Sequence, residues 1–210
     1  MNSELCRKEG VRTSAVGHGI LFLIAGPAGV GKTTLLKQLV AEEQGLVKAI
    51  SVTTRPPRAD EVDGVAYYFW NETRFKTAVS RGEFLEHAEV HGYFYGTLTQ
   101  FVKEKLAAGL DVIKDIDVQG VAQLRQLEQF RYPQSVAIFV TSPSREELVR
   151  RLRGRASEDP RSFAIRLSTA ESELTCIDEY DYVVLNDILP VALAKLKAIR
   201  LAEHCKRERQ

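Results

Sequence analysis

The stretch "ILFLIAGPAGVGKTTLLKQLVAEE", Ile20 to Glu43, sets a short apolar strand, a glycine-rich turn and a helix in immediate succession. Ile20 to Ala25 carries no polar residue and is rich in branched side chains, the pattern of a strand covered on both faces in a parallel sheet. Leu35, Leu36, Leu39 and Val40 then recur at helical spacing and form one apolar stripe. Between them "GPAGVGKT", Gly26 to Thr33, fits GxxxxGK[ST] in full, with the strand before and the helix after that the motif requires. Glycines in such a turn let successive backbone N–H groups point inward around phosphate oxygens, and the helix N-terminus adds positive potential. The reading is a nucleoside triphosphate site. Lys32 is expected to reach the β- and γ-phosphates as a point charge, and the Thr33 hydroxyl to ligate Mg²⁺. A glycine turn with a chance lysine is the plainer alternative, and both flanks count against it.

The same grammar continues downstream. "DVIKDID" reads as a strand and "VQGVAQLRQLEQF" as a helix. "SVAIFVT" is a second strand, followed by the helix "SREELVRRLRGR", which Ser144 and Glu147 could open as a capping box. Asp159 and Pro160 suit the start of another helix, "RSFAIRLSTAESEL", and a strand "YVVL" precedes a terminal helix from about Pro190. Alternating strands and helices predict an α/β domain: a P-loop NTPase-type parallel sheet core flanked by helices.

The rhythm breaks between Ser51 and about Tyr95. Shorter, more aromatic pieces, "AYYFW", "ETRFKTAVSRG", "EFLEHAEV" and "YFYG", predict a small mixed α+β lobe inserted into the core. The expected organisation is an N-terminal arm over 1–19 and one domain over 20–210. Within it the core takes 20–50, 100–149 and 167–210, the lobe 51–99 and a helical lid 150–166.

Composition sets limits. Lys and Arg total 29 against 28 Asp and Glu, so no global charge points to long nucleic acid or an anionic membrane. The cysteines, Cys6, Cys176 and Cys205, are odd in number and lack CxxC spacing, which suggests neither a disulfide framework nor a zinc site and fits a reducing cytoplasm. No apolar run nears the roughly 20 residues that cross a bilayer. Residues 1–19 have no apolar h-region and read as an arm rather than a signal peptide.

A P-loop does not by itself say what the phosphate is moved to. "SVTTRPPRADEVDG", Ser51 to Gly64, opens the inserted lobe with Arg55 and Arg58 three residues apart, the two prolines between them stiffening the backbone. Two guanidinium forks held that way could grip one anion, a second phosphate-bearing substrate, with Tyr67 and Tyr95 adding hydroxyl donors. A surface loop whose arginines pair with Asp60, Glu61 and Asp63 fits the spacing equally well. Asp115 and Asp117 close an apolar strand on one face at its C-terminal end, where ligands sit in parallel sheets. Asp115 is read as the acid that orients magnesium. In "RRLRGR", Arg151 and Arg155 share a helical face, and Arg166 follows after a break. They read either as a cationic lid over the transferring phosphoryl group or as a solvated basic face.

Taken in order, "GPAGVGKT", "TTRPPRADEVDG", "FLEHAEVHGYFYGT", "DIDVQG", "RLRGR" and "VLND" resemble the guanylate kinase family over roughly Ile20 to Leu201. The resemblance implies a phosphotransferase that moves the γ-phosphate of ATP to GMP, and to dGMP, with Mg²⁺. ATP would be held by Gly26, Pro27, Ala28, Gly29, Val30, Gly31, Lys32, Thr33 and Thr34. The acceptor's phosphate would be held by Arg55, Arg58, Tyr67 and Tyr95, with Glu61 ordering the arginines. Guanine contacts would fall to Ser51, Glu86, Thr97 and Asp117. The chemistry agrees, since guanine offers N1–H and N2–H₂ as donors and a carboxylate accepts both. A site built that way can reject an analogue lacking those donors by about 10⁴ or more. Thr97 with Gln100 also reads as a capping box. Lys32, Arg55, Arg151, Arg155 and Arg166 would surround the transferred group.

Two rivals stand beside this reading: a non-catalytic scaffolding domain of the same fold, and a kinase for another monophosphate. The intact phosphate loop and lid arginines weigh against the first, Glu86 with Asp117 against AMP as acceptor. Three departures from the family's pattern stand out. Ala28 replaces a common serine, "ASEDP" is poor in acids, and Lys114 interrupts a strand expected to be apolar there, which raises a question about local packing.

Overall fold

A computed structural model of the 210-residue chain describes residues 19–90, 92–127, 135–153 and 160–206. Residues 1–18 of the expected N-terminal arm and residues 154–159 of the expected lid, Arg155 among them, lie outside the described residues.

Two sheets organise the molecule. The larger has five parallel strands in the order β2 (Leu46–Lys48), β7 (Asp111–Asp115), β1 (Leu21–Ala25), β8 (Ser135–Thr141), β9 (Tyr182–Leu185). Every residue of β1 is buried, and alternation sends its side chains into two different cores. Phe22 and Ile24 face α1 (Lys32–Glu42), α5 (Arg145–Arg153), α6 (Pro160–Leu174) and α7 (Leu189–His204), through Leu35, Leu39, Leu148, Leu152, Ala170, Leu193 and Leu196. Leu21, Leu23 and Ala25 face α3 (Thr99–Ala107) and α4 (Val118–Gln126), through Val102, Val121 and Leu124. The parallel core read from the sequence is therefore present, with one strand the pattern did not expose. β2 is three residues long, too short to show a period, and pairs at the edge with β7.

The second sheet has the order β4 (Tyr68–Phe69), β3 (Val52–Thr53), β6 (Tyr93–Leu98), β5 (Phe84–Val90) and carries α2 (Glu72–Ser80). β5 and β6 are antiparallel, with Glu86 opposite Thr97. Phe75 of α2 stacks between Phe84, at 4.4 Å between ring centres, and Phe94, at 5.4 Å, and supplies the lobe with its own small aromatic core. Asn71 starts α2 by accepting the Arg74 N–H at 2.8 Å.

Asp111 ties the far end of the large sheet together. Nearly fully buried, its carboxylate accepts the Ile20 N–H at 2.8 Å and the Arg200 Nε–H at 2.6 Å, with His204 Nε2 at 2.8 Å. Arg200 also reaches Glu43 and Gln44, so one buried acid joins β1, β7, the end of α1 and the last helix. Removing it would leave the Arg200 Nε–H and the Ile20 N–H without their acceptor. Asp111→Ala is expected to lower the unfolding free energy by about 3 kcal/mol in urea titration. An unchanged midpoint would show that this network contributes little.

Candidate active site

The glycine turn is shaped by contacts that leave no room for side chains. Gly26, Gly29 and Gly31 all have positive φ, at 135°, 88° and 91°. A Cβ on Gly26 would lie 2.0 Å from the Val140 carbonyl oxygen of β8, and one on Gly31 would lie 2.7 Å from Asn186 Nδ2. Asn186, just beyond β9, donates from Nδ2 to the Val30 carbonyl at 2.7 Å and is 5% exposed. Arg151 of α5 joins this support. Its Nε–H donates to Glu147 at 2.5 Å, its Nη1 donates to the Asn186 carbonyl at 2.8 Å, and the same nitrogen is 3.5 Å from the Val30 carbonyl. Glu147, bonded first by Arg150 and then by Arg151, is held at a pKa of about 2 and stays anionic throughout the neutral range.

Gly31 is the cap residue of α1 and brings no side-chain hydrogen bond to the first turn. The first N–H groups of α1 are thus left facing the turn, as an anion site requires. Lys32 Nζ donates to the carbonyls of Gly26 at 2.5 Å and Pro27 at 3.2 Å, which parks the ammonium over the loop where a phosphate chain would run.

Next to the loop is a cavity of about 580 Å³ between the core and the inserted lobe. Among residues singled out in the sequence, Gly26, Ala28, Lys32, Ser51, Tyr67, Glu86, Tyr95, Asp115 and Asp117 line it. Strand β7 ends at Asp115, so Asp117 lies beyond the strand. One of its oxygens already caps α4, accepting the Gly120 N–H at 2.6 Å. Thr97 is fully buried and sits behind Glu86, donating its hydroxyl to Glu86 Oε1 at 2.6 Å. The capping box with Gln100 does not form: Leu98 is the cap residue of α3, and Gln100 bonds Glu104. That hydroxyl serves Glu86 because β5 and β6 place the two residues opposite each other.

Arg55, in the loop after β3, donates from Nη2 to both oxygens of Glu61, at 2.7 and 2.8 Å, and Glu61 also accepts the Arg58 N–H at 2.9 Å. The Arg55 bond holds Glu61 below the usual carboxylate range, and Glu61 raises Arg55 in return. The loop's root is pinned by hydroxyls, Thr53 Oγ1 accepting the Arg55 N–H and Thr54 Oγ1 the Phe94 N–H. Arg55 lies 5.5 Å from the Tyr67 ring centre, and Tyr67 meets Tyr95 edge-on at 6.0 Å. Burial pushes the Tyr67 phenol up, so it remains a donor. Of these residues Tyr67 and Tyr95 line the cavity, whereas Arg55, Arg58 and Glu61 are not among its lining residues.

Arg166 is half-buried on α6, and Glu173, two turns further along the same helix, lines the cavity. Burial raises the Glu173 carboxyl, with Lys32 opposing that rise. Thr33 is exposed on the first turn of α1 and Asp115 lines the cavity. A hydroxyl and a carboxylate are hard oxygen donors of the kind Mg²⁺ takes together with substrate phosphates and water. Among the described residues no group of three or more His, Cys, Asp or Glu could hold a metal unaided.

Three residues in this region carried no expected role. Lys114 and Glu173 line the cavity, and Asn186 props the loop. Lys114 had a signal, a charge inside an apolar strand. Glu173 had none beyond a polar helix position, and Asn186 stood in the quoted "VLND" with no role assigned to it.

The guanylate kinase family model matches residues 19–203. A guanylate kinase of Dechloromonas aromatica (strain RCB) is 45% identical over 181 residues, covering 86% of this chain and 88% of that protein. One of Desulfitobacterium hafniense (strain Y51) is 43% identical over 193 residues, covering 92% and 94%. The chain belongs to the guanylate kinase family. The crystal structure of guanylate kinase from Anaplasma phagocytophilum superposes with a TM-score of 0.74 at 31% identity, over 92% of this chain and 90% of that one. Membership makes the protein a nucleotide-binding enzyme of the kinase class. No helix among the described residues is long and apolar enough to cross a membrane.

The Asn186 support can be tested apart from the chemistry. Asn186→Ala removes the bond to Val30 and is expected to raise the KM for the phosphoryl donor about tenfold, with the acceptor KM unchanged. Equal increases in both would contradict a role confined to the loop.

Proposed function

We propose a division of labour for the guanylate kinase reaction, transfer of the γ-phosphate of ATP to GMP, and to dGMP, giving ADP and GDP or dGDP. The observation that carries it is the single cavity that has the Lys32 loop at one end and the Ser51, Glu86 and Tyr95 lobe surface at the other.

The turn from Gly26 to Thr34 holds the ATP phosphates through backbone N–H groups and Lys32. Arg55, Arg58, Tyr67 and Tyr95 hold the acceptor's phosphate. Before it binds, Glu61 occupies Arg55 and keeps the fork extended, so little side-chain freedom is lost on binding. Glu86 accepts the guanine N1–H and N2–H₂, with Thr97 fixing its orientation from behind and Ser51 at the same edge. Asp117, with one oxygen committed to its helix, offers the other to the base.

An oxygen of the GMP phosphate attacks the γ-phosphorus in line. An O–P bond forms as the bond to the β,γ-bridging oxygen breaks, and ADP leaves with that electron pair. The attacking phosphate is already anionic, so no general base is needed, and rate comes from alignment and charge neutralisation. Lys32, Arg55, Arg151, Arg155 and Arg166 supply the positive charge around the transferred group. Mg²⁺, held with the ATP phosphates by Thr33 and Asp115, would neutralise further charge on them. The work belongs to purine nucleotide metabolism. A cytoplasmic setting fits Cys176 and Cys205, both free thiols.

Two variants test the assignment. Lys32→Ala is expected to lower kcat by on the order of 10³ with the fold intact. Glu86→Ala is expected to raise the GMP KM by roughly 100-fold with little change in the ATP KM. Near-normal turnover of Lys32→Ala, or an unchanged GMP KM in Glu86→Ala, would refute these roles.

A further inference from the structure

Lys114 occupies a position that alternation gives to the apolar core. Its strand neighbours on the same face, Val112 and Ile116, pack in the layer with Leu21, Leu23, Val102 and Leu124. The Lys114 side chain runs out of that layer with its stem buried and only 5% of the residue exposed. Its ammonium ends in the cavity, donating to Ser51 Oγ at 2.5 Å and lying 3.6 Å from Glu86 Oε1. A buried lysine costs several kcal/mol to hold charged unless it is paired. Its partners are two residues that line the proposed base pocket.

We propose that Lys114 is a specificity-determining residue of the acceptor-base pocket. Its ammonium and the Ser51 hydroxyl it holds form a donor end that reads the carbonyl at position 6 of the purine. The proposal rests on the assignment of this cavity to GMP.

Polarity sets the selection. A hydroxyl that accepts a bond from an ammonium turns its own hydrogen away from it, so Ser51 presents a donor to the cavity. Beside it Glu86, whose Oε1 is already engaged by Thr97, presents acceptor capacity. The pocket edge therefore runs from cationic donor to anionic acceptor. Guanine offers the complement, an acceptor at O6 followed by donors at N1 and N2. Adenine offers a donor at position 6 and an acceptor at N1, a mismatch at both points that leaves buried charged groups without partners. A neutral hydroxyl alone can rotate to accept from an amino group. An ammonium cannot, so Lys114 removes the option that would admit adenine. The charges of Asp115 and Lys48 also act on the ammonium. Burial draws the ammonium below the ordinary lysine range, and the carboxylates of Glu86 and Asp115 pull it back up.

The test compares GMP with 6-thio-GMP, in which sulfur, a weaker acceptor, replaces O6, and with IMP, which keeps O6 and N1–H but lacks the 2-amino group. Wild-type protein should favour GMP over 6-thio-GMP at least tenfold in kcat/KM. Lys114→Met should raise the GMP KM about tenfold with kcat within twofold, and should shrink the GMP to 6-thio-GMP preference by a similar factor. Its GMP to IMP preference should be unchanged, because that ratio reports the Glu86 end. A lysine that only steadies Glu86 would give the reverse pattern, an altered IMP ratio with the thio ratio intact, and would overturn the proposal. So would a wild-type enzyme indifferent to the sulfur, a result that needs no variant to fold. Absence of GMP turnover in the wild type would instead refute the cavity assignment itself.

Discussion

The structure depends on a backbone that passes too close to its neighbours for any side chain. Between Gly26 and Gly31 the chain reverses against the Val140 carbonyl and the Asn186 amide at distances a Cβ could not tolerate. The reversal leads directly into the start of α1. It stays in place because β1 is paired on both sides, with β7 and with β8, and because Asn186 and Arg151 hold the Val30 region from the next strand and helix. The shape of the turn is thus a property of the packed sheet.

From that fixed point the cavity extends along the C-terminal ends of the strands, where the sheet leaves room for a ligand. Lys32 lies against the turn and Arg55 in the first loop of the lobe, each resting on protein oxygens. Carboxylates and hydroxyls gather at the lobe. Glu86 and Thr97 come from adjacent strands, and Ser51 and Lys114 come from the lobe's root and the core sheet. The lobe's own aromatic core around Phe75 lets it present that surface as a unit. Of the two helices that carry Arg151 and Arg166, α6 reaches the cavity through Glu173.

Much of this is legible from residue order. The strand, turn and helix around Gly26 carry local signals, periodicity and glycine spacing, that survive without tertiary context. The parallel core follows from repetition of that unit. β2 escapes because three residues define no period, and the β7 edge supplies its stability. The sequence leaves Arg55 and Glu61 open to two readings, a phosphate clamp or a self-paired surface loop. The geometry contains the Arg55–Glu61 ion pair of the second. Thr97 illustrates a different failure. Its capping signal is real as a sequence pattern, yet the hydroxyl is spent across the hairpin on Glu86, a partner that only strand register can bring near. Lys114 is visible in the sequence as an anomaly and reads there as a packing question. Its meaning lies in Ser51 and Glu86, which come from the root of the lobe and from β5 and meet it only in the folded chain.

The most direct measurement is ADP release from Mg-ATP with GMP, AMP, CMP and UMP offered separately, repeated with magnesium chelated. Turnover should be confined to GMP among these acceptors and lost without magnesium. Comparable turnover with AMP, or none with any acceptor in protein shown to be folded, would contradict a site that pairs the Lys32 loop with a guanine-reading lobe.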